Sequence, residues 1–134
     1  MMTENRHAPG IVSAFEKISG VTPPAGFGEP FLTAFSRLYH GGNEEITAAA
    51  YICSLFLSAL FGKYPTERLH TFVHYVQEIC SPFSFNCNMY ETIFKEMDEK
   101  ALYTVCLMRN DNTPLTRECS KDDIFEAFDF YTNR

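Results

Sequence analysis

From residue 46 to residue 61 the chain reads ITAAAYICSLFLSALF, sixteen residues without a charge, and this run limits the fold more than any other stretch. A helix that is apolar nearly all round must be enclosed, either by protein or by lipid. Sixteen residues fall short of the roughly 18 or more expected of a membrane-spanning helix, and the run carries the polar side chains Thr47, Ser54 and Ser58. The expectation is a central core helix, which in turn requires a shell of amphipathic partners around it.

The flanking sequence supplies that shell. Ile11, Val12, Phe15 and Ile18 recur at helical spacing, and Gly20 stands where a left-handed residue would close the helix. The segment VTPPAGFG at 21–28 reads as a stiff linker, and Pro30 suits the opening of a second helix that Gly41 and Gly42 end. Asn43, Glu44 and Glu45 are suited to cap the central helix and to complement its dipole, and Gly62 and Pro65 close it. A fourth helix, 65–81, gathers Leu69, Phe72, Val73, Val76, Ile79 and Cys80 on one face.

Tyr90, Ile93, Phe94, Met97, Ala101, Val105 and Met108 continue a helical stripe and favour one long helix over 88–109. The alternative for its second half is a strand that turns at NDNT into a minor β-hairpin at 101–119. Ser120 and Asp123 have capping-box spacing ahead of a last helix. The fold class is therefore all-α: a compact bundle of about five to six helices around the central helix 46–61. Residues 1–10 are expected to be a flexible N-terminal segment, and 11–134 a single helical domain. MMTENRHAPG has no apolar stretch or cleavage site of a secretory signal.

Charge and cysteines narrow the function. Eleven Lys and Arg against seventeen Asp and Glu give a net −6, the wrong sign for binding a phosphate backbone. Nucleic acid and membrane are not expected as partners. Five cysteines do not pair off into a disulfide framework, and a reducing, cytoplasmic setting fits them.

No catalytic constellation emerges. His70, His74 and Glu78 share a helix face at ligand spacing, but Thr71 stands where a zinc protease of the HExxH type has its glutamate. They are weak metal candidates; no metal and no cofactor is favoured. Cys80 and Cys87 are too far apart in sequence for a redox or zinc-knuckle pair. The glycines of GFGEP and HGGNEE lack the Lys and Ser/Thr of a phosphate loop.

The informative anomalies are aromatic. Of 13 Phe in a chain without Trp, Phe83 and Phe85 fall in a loop, and Phe130 projects between Asp123 and Glu126 on an acidic helix face. Aromatic anchors beside acids suit a protein interface, with a basic partner or a second copy as the occupant. The leading functional reading is a non-catalytic, regulatory interaction module: an adaptor, inhibitor, antitoxin-like regulator or chaperone, acting as a homodimer or on a partner. Phe83, Phe85, Phe130, Asp123 and Glu126 are its partner-binding candidates. The rival reading is a ligand- or metal-sensing helical domain, enzymatic in one form, with Thr47, Tyr51, Ser54 and Ser58 lining a groove near His70, His74 and Glu78.

Overall fold

The computed structural model describes residues 7–134. Among them the chain is mostly helical with one small antiparallel sheet. Its elements run α1 (Pro9–Ser19), α2 (Phe31–Leu38), α3 (Asn43–Gly62), α4 (Thr66–Ile79), a 3₁₀ turn (Cys87–Met89), α5 (Tyr90–Glu96), β1 (Leu102–Met108), β2 (Pro114–Ser120) and α6 (Lys121–Thr132).

Helix α3 is the organising element. It packs against α1, α2, α4, α6 and β1, and its alanines 48–50 together with Ile52, Cys53, Leu55 and Leu57 are wholly buried. By length and composition the span Asn43–Gly62 could cross a membrane, yet 72% of its most apolar window is buried inside the structure. Glu44 and Glu45 sit in its first turn as the dipole favours, but the N-cap is Gly42 rather than Asn43, with no side-chain cap.

The expected flexible segment 1–10 is described only from residue 7. Residues 1–6 lie outside the described residues. From Ala8 onward the backbone is held: Ala8 is buried, its N–H donates to Thr47 Oγ1 at 3.0 Å, and α1 opens at Pro9. Proline is tolerated there because a first-turn N–H has no intrahelical acceptor to lose. Gly20 ends α1 with φ 81°, its N–H donating to Glu16 O at 2.8 Å.

The long helix expected over 88–109 is two elements. α5 stops at Glu96, and Asp98 and Glu99 take left-handed backbone angles of 64° and 42° that no helix can carry through. Beyond the break the apolar residues serve a period of two: Tyr103, Val105 and Leu107 are buried while Leu102 and Thr104 are exposed. Spacings such as 101, 105 and 108 cannot discriminate helix from strand over so short a run. β1 pairs with β2 from Leu102↔Ser120 to Met108↔Pro114. At the sheet's end Ser120 and Asp123 form the expected capping box, Ser120 Oγ accepting from Asp123 N at 3.2 Å and Asp123 Oδ2 from Ser120 N at 2.9 Å.

The sheet is fastened to α3 by polar contacts inside an apolar interface. Ser58 Oγ donates to Ser54 O at 2.8 Å and accepts from Met108 N at 2.9 Å, and Asn110 N donates to Gly62 O at 3.1 Å. A Cβ on Gly62 would stand 2.5 Å from Met108 O, a backbone atom with little room to retreat. Gly62→Ala is therefore expected to cost about 1–3 kcal/mol in urea-monitored unfolding; an unchanged midpoint would contradict this packing.

Candidate functional site

The loop aromatics are not surface anchors. Phe83 and Phe85 are only 5% and 7% exposed. Phe83 packs on Phe35 and Tyr39, and Phe85 stacks on Tyr131 at 5.1 Å. Tyr131 Oη donates to Phe83 O, and Phe83 N donates to Glu45 O at 3.1 Å, so the loop seals the core between α3 and α6. Burying these rings offers more than leaving them in water, which is why apolar loop residues fold inward when an open core end is within reach.

The strip Thr47, Tyr51, Ser54 and Ser58 is likewise internal, with all four residues fully buried. α1, the segment before it and β1 cover that face of α3. Thr47 and Ser58 bond to backbone, whereas Ser54 Oγ has no hydrogen-bond partner among the described residues. Tyr51 meets a crevice. Its hydroxyl lies 2.8 Å from His7 Nδ1 at the edge of a hollow of about 240 Å³ that Pro23, Pro24 and Gly26 also line. Burial, aided by the nearby Glu16 carboxylate, pushes the Tyr51 phenol well above its ordinary value, so it remains a neutral hydroxyl.

Phe130 has a different environment. It is half-buried, stacks on Phe56 of α3 at 5.0 Å and 24°, and lies 6.1 Å from the His70 ring of α4. Around it two hollows of about 240 and 470 Å³ adjoin, sharing His70 and Phe130. Leu60, 46% exposed, and Phe56 give the first an apolar wall. His74, Gln77, Asn133 and Arg134 edge the second. The Arg134 guanidinium lies over the Tyr131 ring at 4.1 Å and donates to Tyr131 O at 2.6 Å, which holds it at the groove's end.

Of the acids expected beside Phe130, Asp123 is occupied by the capping box and Glu126 is exposed outside the groove. His70 and His74 line the groove, and Glu78 does not. Among the described residues no three His, Cys, Asp or Glu side chains are grouped to hold a metal ion. Sequence reasoning passed over Phe56, Leu60 and Arg134; Phe56 and Leu60 stand one turn apart on an otherwise buried helix, a signal that the apolar run conceals.

The cysteines are all free thiols. Burial pushes Cys80 and Cys119 up to about 11, with Glu45 and Glu44 reinforcing the first and Asp123 the second. Thiolate is the reactive form, so these groups are suppressed as nucleophiles. Cys87 is exposed, and buried Cys53 should alkylate on the order of a thousandfold more slowly, through opening of the fold. Mass spectrometry after limited native alkylation measures this; equal rates at Cys53 and Cys87 would contradict it.

Comparison with curated proteins finds similarity to a 3-dehydroquinate synthase of Parabacteroides distasonis, 27% identical over 135 aligned residues that cover 90% of this chain and 37% of that protein. The chain thus spans little more than a third of that relative's length. No family model matches the chain, and no solved structure matches it.

Proposed function

We propose that the chain is a non-catalytic protein-interaction module, a helical bundle organised on α3 that docks a partner at the Phe130 groove. One observation carries the reading. On a domain that buries most of its aromatic rings, Phe56, Leu60 and Phe130 leave an apolar hollow open between three helices. Aromatic anchors at a concave, apolar centre with a polar margin are what interface hot spots require. Such a surface suits an adaptor, inhibitor, antitoxin-like regulator or chaperone. The free cysteines accord with a cytoplasmic setting.

Immobilised wild-type chain and a Phe130→Asp variant, challenged with the same lysate of the source cell, test the proposal. Proteins retained by the wild type and lost by a variant of unchanged circular dichroism are the expected result. Identical retention on both would contradict it.

A second reading rests on the similarity to the dehydroquinate synthase. In it the chain contributes to forming 3-dehydroquinate, with the His7–Tyr51 crevice as its own contribution to a site shared with further protein. Product formation that depends on the chain and falls with Tyr51→Phe would favour this reading over docking.

A further inference from the structure

We infer that the Phe130 groove receives an acidic amphipathic helix of a partner protein. This rests on the docking reading above and specifies its occupant.

The shape comes from the walls. One side is α4, whose groove-lining residues run from Thr66 to Gln77. At 1.5 Å per residue that wall is about 16 Å long, roughly three helical turns. Its floor is apolar along most of this length, from Leu60 and Phe56 through Phe130 to Val73. A helix presenting aliphatic side chains one turn apart would seat one in each hollow, the arrangement of helix-in-groove recognition.

The charge comes from what lines the groove. The chain carries a net −6, yet neither hollow is lined by an acidic side chain. Their one permanently charged lining side chain is that of Arg134, flanked on the same hollow by His70 and His74. The cleft between α2 and the α5–β1 turn differs, with Glu29, Glu96 and Asp98 against a single cation, Lys100, in its lining. A guanidinium fixed by its own ring and carbonyl contacts, with no carboxylate partner among the described residues, presents its remaining donors to an incoming Asp or Glu. A basic partner, which the acids around Phe130 suggest in the sequence, would instead meet Arg134 as a like charge.

The test uses the full chain and two fluorescein-labelled helical peptides of about 16 residues. Both carry Leu at i, i+3, i+4 and i+7; one has Glu and the other Lys on its polar face. Fluorescence anisotropy should show the Glu peptide binding at least about tenfold more tightly, and Arg134→Glu should reverse the order. Phe130→Asp, and the milder Phe130→Ser if the first fails to fold, should weaken the Glu peptide at least tenfold, on the order expected of a hot spot. Equal or tighter binding of the Lys peptide overturns the inference, as does a preference untouched by Arg134→Glu. Light scattering that finds a dimer lost in Phe130→Asp overturns it too, because the occupant is then a second copy. Lysate capture that depends on Phe130 alongside a Lys-peptide preference would sink this inference and leave the docking reading standing; capture indifferent to Phe130 would sink that reading.

Discussion

Replacing Phe128 with alanine is expected to remove about 3–5 kcal/mol of folding free energy, a large share of what a single domain of this size holds. Phe128 is wholly buried, and its ring lies within 5.9 Å of Phe31 and Phe85 and 5.3 Å of Tyr90. Phe35 at 6.4 Å and Phe94 at 5.5 Å complete the surround. These rings come from α2, the loop before the 3₁₀ turn, and α5, so Phe128 on α6 packs against three separate segments at once. The resulting void cannot be closed by moving one neighbour, which is the condition for a large cavity penalty. Phe125, three residues earlier and 38% exposed, provides the control, and its alanine variant should lose far less. Urea unfolding followed by circular dichroism measures both, and a Phe128→Ala loss below about 1 kcal/mol would mean that the aromatic cluster is not the centre of the fold.

Alkaline pH should unfold the protein abruptly. Burial raises the phenols of Tyr51 and Tyr131 and the thiol of Cys53, all fully buried, above their ordinary values of 10.0 and 9.0. The folded chain keeps these protons where the unfolded chain releases them. Their contribution is therefore intact below about pH 9 and is lost as pH rises, by about 1.4 kcal/mol per group for each unit above the unfolded value. Three such groups make the slope steep from about pH 10 upward, and Tyr51→Phe should flatten part of it. Unfolding free energies that stay level from neutral pH to about pH 11 would contradict this assignment of buried, neutral hydroxyls.

Helix ends were legible where their cause is local: Gly20, Ser120 and Asp123 stop or start helices through the chemistry of one turn, whereas α3 runs through Gly62 and ends at left-handed Lys63. The 88–109 stretch was not, because Val105 and Met108 fit a period of 3.6 and also serve a strand, and only the reversal at Asp98 and Glu99 decides between them. For Phe83, Phe85 and the Thr47–Ser58 strip, exposure depends on which distant segments cover them. Tyr131 and Glu45 hold the loop in place, and residues 7–10 with β1 close over the strip. Such contacts, between residues distant in sequence, leave no local mark.

At the candidate site Phe130 was identifiable as an aromatic out of place and His70 only as a metal candidate, whereas their neighbours were not identifiable. Arg134 acquires its role only from the Tyr131 ring beneath it, and Phe56 looks like one more apolar residue of the central helix until α6 lies beside it.

The central claim, that this domain works by docking at the Phe130 groove, is tested most directly by hydrogen–deuterium exchange of the chain alone and in complex with the protein it retains. Slowed exchange confined to the C-terminal half of α3, to α4 and to the end of α6 is the predicted result. Protection centred instead on the His7–Tyr51 crevice and residues 23–28, with α4 and α6 unchanged, would contradict it.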